Sequence, residues 1–499
     1  MEGPHMKKSY VEFCQLAARA TQAGFHEEAI EICGQALSFY PDNVPLLQIL
    51  ATSLSKKKRH YESTLVLHKV LEISPRAEGA SSLLAKNYVD MGAYKPELWK
   101  RAIEYADRCL EANGKDASGL VSKAYISIVN ADYQEAFRLC QAALKISPDS
   151  DGAVFNISLA MLANHMWEEG WYSYNKYLHP RFRAGLPEYP IPLWNGEPGK
   201  LIVTGEQGLG DVIMFASMIP DLQKDHEIIF DTIPKISGLL GRSFDCRSYG
   251  TKTDNGALWK QQTDADFWVP IGSLGAYFRN SAEDFPGTPY LKADPERRLQ
   301  WKALLDSLSD KPKIGIAWSG GVADTGEKTR SMELRDLFPI LEYDADWISL
   351  QYKNTDNLPD YIHHWPRAVE GEDYDDTAAL IAELDLVISV TTAAVHCAGA
   401  LGIKTWALVP GNAAWRYGTL GEKMPWYRSV DLIRQENGAW PIQEVCDRLS
   451  AMNIGKCRNL STRTRITVLP RSTTHRLLPP SSENAGLQKF LITGLARAA

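Results

Sequence analysis

What this 499-residue chain lacks limits its chemistry before anything it contains. Its eight cysteines (Cys14, Cys33, Cys109, Cys140, Cys246, Cys397, Cys446 and Cys457) are scattered, with no CxxC pair and no metal spacing, which suits reduced, packed thiols. The adjacent His363 and His364 have no third ligand at a useful spacing, so no metal site is expected. No long uninterrupted apolar run is present. The richest stretch, Leu384 to Pro410, is broken by Asp385, His396, Lys404 and several glycines, and fits a buried strand, helix and strand better than a membrane span. The opening MEGPHMKKSYVEF has no apolar core of secretory-signal length, and a cytoplasmic location is expected. Positive charge is also scarce. Eight of the basic residues fall after Gly455, against the single acid Glu483, which leaves 46 basic and 60 acidic residues in the body, or −14. Such a body argues against nucleic acid as the main partner.

What is present is ample core-forming material, 44% apolar and 10% aromatic, in a chain long enough for about three domains. From residue 10 to 180 the sequence repeats. LSFYPD, LEISPR, LEANGK and LKISPD place Pro41, Pro75, Gly114 and Pro148 at spacings of 34, 39 and 34 residues, and Pro180 follows a further 32 along. The extra residues of the third unit match an insertion, AYKPELWK, around Pro96. Small residues (Ala17, Gly24, Ala29; Ala124, Ala131, Ala136) recur where two helices would touch, and the prolines end the second helix of each unit. The period and pattern resemble the tetratricopeptide repeat family, which implies about five helix pairs stacked as an α-solenoid. The resemblance implies a concave face that holds extended peptide; a rigid spacer or a dimer contact is the plainer alternative.

Residues 181–200 carry four prolines and three glycines, as a linker does. Thereafter apolar strand-like and helix-like runs alternate, first over 181–310 and again over 311–454, starting with KIGIAWSG at Lys313. Two such runs predict two α/β domains, each a doubly wound, Rossmann-like parallel sheet with ligands beyond the carboxyl ends of its strands. Residues 455–499, rich in Ser, Thr, Arg and Pro, are expected to be a disordered basic tail.

The stretch LIVTGEQGLGDVIMFASM, Leu201 to Met218, organises the first of these domains. Leu201 to Val203 read as a strand, Gly205, Gly208 and Gly210 as a loop, and Val212 onward as a helix. Glycines let backbone approach a ligand, and the helix N-terminus favours negative charge. Asp211 is either the cap of that helix or a carboxylate available for proton transfer.

GEQGLGDVIMFASMIP, IAWSGG, RSMELRDL, WISLQYK, DTAALIAELDLVISVTTAAVHCAGALG and VPGNAAWRYG, in this order behind the repeats, resemble bacterial repeat-containing glycosyltransferases. These are similar to heptosyltransferases and, more distantly, to O-linked N-acetylglucosamine transferases. The resemblance covers about residues 10–450. It implies a GT-B pair of Rossmann-like domains, 181–310 on the acceptor side and 311–454 on the nucleotide-sugar side. It also implies inversion at the anomeric carbon, and neither cofactor nor metal beyond the nucleotide-sugar co-substrate. The acceptor so implied is Ser or Thr of a protein held by the repeats, with flagellin one candidate. A saccharide or lipid-linked acceptor, or a non-catalytic adaptor, are the alternatives.

By the same resemblance Asp211 is the general base, with Glu206 its substitute, and Gly208 and Gly210 floor the site. Thr391, Thr392, Ala393, Ala394 and His396 seat the donor diphosphate, although the family usually has Asp where this chain has Thr391; His396 is otherwise a packed neutral histidine. Trp318, Ser319 and Gly320 line the cleft. Lys328 and Arg330 neutralise the leaving diphosphate or are ordinary solvated charges. Gln351 and Lys353 meet the nucleotide, and Trp415 with Arg416 closes over the donor, unless Trp415 is a core aromatic. The triplets Asp264 to Asp266 and Asp344 to Asp346 admit a metal-dependent reading, but each directly precedes an apolar strand and fits its polar start.

Overall fold

The computed structural model describes residues 9–92, 95–112, 114, 116–176, 186–187, 189–250, 264–321, 327, 329–353, 355 and 358–456. Lys328, residues 181–185 and 188 of the linker and the tail beyond 456 lie outside them. The described chain divides into two compact units, 9–126 with 139–150 and 127–138 with 151–456.

Ten helices come first: α1 (Tyr10–Gln22), α2 (His26–Leu37), α3 (Val44–Lys56), α4 (His60–Ile73), α5 (Ala80–Gly92), α6 (Trp99–Ala112), α7 (Ser118–Val129), α8 (Tyr133–Ile146), α9 (Asp151–Ala163) and α10 (Trp167–Lys176). They follow one another as five pairs, with first helices starting at Tyr10, Val44, Ala80, Ser118 and Asp151. Local chemistry sets these starts. Ser9 and Glu12 close a reciprocal capping box on α1, and Asn43 accepts the Leu46 N–H at 3.0 Å on α3. Buried Ala17, Ala29, Ala51, Ala85 and Ala106 let the helices of the first unit approach closely.

Gly24 has a different job from the helix contact expected of it, with nothing within 4 Å of a Cβ there, and Ala131 shares that job while also packing on the core. Each lies two residues before the second helix of its hairpin with φ of +84° and +57°, and Lys58 and His165 hold the same place at +60°. The hairpin turn therefore requires one left-handed residue. Of these four turns, the first alone meets that requirement with glycine. Helices α9 and α10, which share the repeat period, belong to the second unit.

The second unit contains two sheets. In the first, β1 (Lys200–Thr204), β2 (Glu227–Asp231), β3 (Arg247–Tyr249) and β4 (Phe267–Pro270) run parallel in the order β3-β2-β1-β4. The second comprises β5 (Lys313–Ala317), β6 (Asp346–Ser349), β7 (Ile362–His363), β8 (Leu386–Val390), β9 (Thr405–Val409), β10 (Lys423–Met424) and β11 (Tyr427–Arg434). Its order is β10-β11-β9-β8-β5-β6-β7, all parallel except the edge strand β10. Both sheets are apolar on two faces. Along β8, Leu386, Ile388 and Val390 join one cluster while Val387 joins the other, and Ile202 on β1 likewise separates from Leu201 and Val203. This two-sided burial explains the continuous apolar runs in the sequence.

In each sheet the chain winds outward from the first strand to one side, then returns to build the other. The direction reverses between β1 and β4 in the first sheet and between β5 and β8 in the second. At such a reversal the connections leave to opposite faces, so a crevice opens at the carboxyl ends of the two central strands.

Candidate functional site

The glycine loop lies at the first reversal. It leaves β1 and enters the helix Leu209–Phe215, which begins at Leu209 rather than Val212. Asp211 is therefore the third helical residue rather than the N-cap, and it caps the helix from within the first turn by accepting the N-cap N–H. Gly208 caps the helix with extended backbone, and its N–H donates to Asp211 Oδ2 at 3.2 Å. Gln207 bends the loop at φ +59° and is anchored by its Nε2 donating to Tyr174 Oη at 2.6 Å. Glu206 is fully buried and accepts the Gly272 N–H at 2.7 Å, tying the end of β1 to the segment after β4. That contact makes Glu206 a loop anchor and removes it as a substitute base.

Gly210 faces the second half of the site. A Cβ there would sit 3.0 Å from His396 Cδ2 and 3.5 Å from Ala393 Cα, so the helix Leu209–Phe215 packs directly on the helix Ala393–Leu401. Thr392 caps the latter, its hydroxyl accepting the Ala394 N–H at 3.2 Å and sharing a hydrogen bond with Ser389 at 3.1 Å. Ala393 and Ala394 form its first turn, and Thr391 is buried just before it. Gly320, at the end of β5, has no room for a side chain because Thr392 Cγ2 occupies that space. The glycine loop, the end of β5 and the start of the helix Ala393–Leu401 thus converge on one place.

Charge converges there as well. Asp211 forms an ion pair with Arg416 Nη2, their side chains 17% and 14% exposed. Burial would ease the proton off Arg416, but the Asp211 carboxylate and the hydroxyls of Tyr417, Tyr133 and Tyr174 together outweigh it and hold the guanidinium charged. The Arg416 Nε is buried with no acceptor, which leaves one strong donor unused. Arg330 contributes a second guanidinium, with Nε donating to Gly320 O at 3.3 Å; burial, with Arg416 nearby, lowers its proton affinity. Lys353 donates to Gly321 O at 2.5 Å and pairs with Glu327.

Three expected ligand contacts turn out to be structural. Gln351 is fully buried, its Oε1 accepting the Trp318 and Ser319 N–H groups at 3.2 and 3.1 Å and its Nε2 donating to Ser319 O and Oγ at 3.0 and 2.7 Å. With its amide fully occupied, it shapes the loop after β5 rather than facing a ligand. The Trp318 ring lies in the core beneath the sheet. His396 is 3% exposed, with Tyr427 at 3.2 Å from Nδ1 and Tyr417 at 3.1 Å from Nε2. Burial first, then Arg416 and Arg330, hold its pKa well below 6.5, so the ring is neutral and serves as packing.

Sequence reasoning assigned Arg416 only to closing over the donor and overlooked Tyr417 and Tyr427. The signal for Tyr417 lies in NAAWRYG: a 3₁₀ turn over Trp415–Tyr417 presents Arg416 and Tyr417 together, and Arg434 fixes it by donating to Tyr417 O at 2.6 Å.

No protein-family profile matches the chain. Protein FlbA from Caulobacter vibrioides is 29% identical over 437 residues, an alignment that takes in 80% of this chain and 71% of FlbA. Among solved structures, a thermophilic TPR protein of Thermus thermophilus shares 15% identity over 34% of this chain and 89% of its own, with a TM-score of 0.31. MamA from Desulfovibrio magneticus RS-1 shares 15% over 30% of this chain and 82% of its own, at 0.26. At those TM-scores the likenesses add nothing to what the helix period already establishes: a helical-repeat region of tetratricopeptide type, followed by an α/β region with parallel sheets.

Proposed function

We propose that the chain is an inverting, metal-independent glycosyltransferase of the GT-B kind, transferring sugar from a nucleotide donor to Ser or Thr of a protein acceptor presented by the repeats, with flagellin one candidate. One observation carries the reading: a carboxylate at the reversal point of one parallel sheet pairs with Arg416, close to Arg330 and a helix N-terminus at the reversal point of the other. Transfer with inversion needs a base for the acceptor hydroxyl and positive charge for the departing diphosphate. Asp211 would take the proton, while Arg416 and Arg330, with the N–H groups at Thr392 to Ala394, would hold the phosphates. In the absence of donor, Arg416 is paired with Asp211. A bound diphosphate would compete for that guanidinium and release the carboxylate to act as base.

A second reading, a non-catalytic adaptor, is favoured by Thr391, which is buried and uncharged where the resembling enzymes carry an acid.

The deciding experiment incubates the full chain with a panel of nucleotide sugars and bacterial flagellin, and follows nucleotide release and protein mass. One sugar should be added per turnover with chelator present, and Asp211→Asn should bind nucleotide but not transfer. If no nucleotide binds, the adaptor reading replaces the enzyme.

A further inference from the structure

Helix α10 and the first residue of α8 reach into both loops of the candidate transfer site. On the acidic side, Gln207 Nε2 donates to the Tyr174 hydroxyl of α10 at 2.6 Å, and Asn175 Nδ2 donates to Ser273 O at 3.0 Å. On the basic side, the Tyr133 hydroxyl donates to Ala413 O at 2.8 Å, in the segment that leads to Arg416. Between them the Trp171 ring meets Phe215 and Trp415 edge-on, at 6.3 and 5.7 Å between centroids. Phe215 ends the helix that carries Asp211, and Trp415 precedes Arg416. Trp171 and Tyr174 are fully buried, so they are closed to an acceptor peptide.

The glycine loop holds a mismatch between residue and backbone. Gly205, Gly208 and Gly210 all avoid positive φ, yet Gln207 has φ +59°. That left-handed conformation crowds the Cβ of an L-residue against the following carbonyl, and glycine adopts it without cost. The glycines therefore sit where φ does not require them, and glutamine sits where φ favours glycine. What a glycine at 207 would lack is the amide that reaches Tyr174. Backbone strain persists where the surroundings over-determine it, and here they include a fully buried phenol on another helix. The glutamine side chain thus fixes a loop that its glycines alone would leave free.

From this we infer that Gln207 and Tyr174 are positioning residues for transfer: their hydrogen bond fixes the glycine loop so that Asp211 faces the acceptor hydroxyl once Arg416 turns to the donor diphosphate. The inference rests on the transferase reading. It makes α10, a helix with the repeat period, part of the frame of the transfer site, through side chains that take no part in proton transfer. A base held in place by such a contact gains rate through orientation and leaves donor affinity unchanged.

The test compares the full chain with Gln207→Gly, Tyr174→Phe and the double variant, by melting, by hydrogen exchange at residues 208–212 and by nucleotide release from a panel of nucleotide sugars. Gln207→Gly should melt within about 3 °C of the parent, because relief of left-handed strain offsets the lost hydrogen bond. Exchange at the loop amides should still quicken about threefold or more in each single variant. In both, kcat should fall about five- to thirtyfold while the donor KM stays within about twofold. The double variant should be no slower than the slower single, since each change removes the same contact. Unchanged exchange in both single variants, unchanged kcat in a chain that turns over, or losses that multiply in the double variant would each overturn the inference. If the parent releases nucleotide from no donor, the transferase reading is what fails, and the exchange data then decide by themselves whether Tyr174 holds the loop.

Discussion

The two reversal points of the second unit share a topology and differ in chemistry. After β1 the loop carries Glu206 and Asp211 and caps its helix with a bare glycine. After β5 the loop carries Arg330, with Lys353 after β6 and Arg416 beyond β9, and after β8 a threonine hydroxyl caps the helix. One side can remove a proton and the other can stabilise an anion. The fold provides two equivalent crevices, and side chains alone divide the labour between them. That division gives the transferase reading its direction: acceptor toward the acidic loop, donor phosphates toward the basic one.

The largest effect expected from breaking this contrast is on turnover. Asp211→Asn keeps an acceptor for the Gly208 N–H but no base, and kcat should fall by about 10²–10⁴. Arg416→Met should lower kcat through the departing diphosphate and raise the donor KM as well. Steady-state kinetics that gave the two variants the same profile would dissolve the distinction between the sides. The next largest effect lies on the basic side alone. Gln351→Leu strips the acceptor from the buried Trp318 and Ser319 N–H groups, at about 1–3 kcal/mol for each donor left unpaired. Hydrogen exchange should show those amides opening first.

How much of this could be read from the chain depended on range. The helix period and the strand at Lys313 are local patterns of spacing and burial, and β5 begins at Lys313. The glycine loop was legible as strand, loop and helix because its residue types restrict the backbone, although its helix begins earlier than apolar periodicity alone indicated, since Gly208 offers no capping side chain to mark the start. The pairing of Asp211 with Arg416 was not legible. It joins residues far apart in sequence, and no local pattern encodes which of several cations a carboxylate meets. The buried role of Gln351 was hidden for a related reason: a glutamine at a strand end has the same sequence context whether its amide faces a ligand or the loop beside it. Gly24 was misread, and the turn at Ala131 missed, because a small residue serves a tight contact and a left-handed turn equally well on paper, and only φ reveals the second use.

A pH effect of intermediate size tests the junction between the two sides. His396 is buried with its pKa well below the unfolded value of 6.5, so below pH 6.5 the unfolded chain takes up a proton that the folded chain refuses. Stability is unaffected above that pH and should fall by about 1.4 kcal/mol per unit beneath it, until the folded pKa is reached. Replacing the imidazole by the amide of His396→Gln should flatten this slope in denaturation measured from pH 7 to pH 5. A slope that persists unchanged would place its origin in other groups.

The smallest effects sharpen the comparison most, because they separate a glycine kept for geometry from one kept for a ligand. Thr392→Ala removes the hydroxyl that accepts the Ala394 N–H and should cost about 1 kcal/mol. Gly208 occupies the matching place with φ −94° and ψ 173°, a backbone that any residue adopts, and a Cβ there meets only Asp211 Oδ2 at 3.4 Å. Nothing in the folded chain therefore requires glycine at 208, and Gly208→Ser should stabilise the helix by a few tenths of a kcal/mol. If the loop backbone is the floor on which a substrate lies, the same variant should bind that substrate more weakly while melting slightly higher, since its side chain intrudes where a ligand must approach the main chain. A serine variant that is both more stable and fully active would assign the loop to architecture and leave Asp211 as the only contribution of the acidic side.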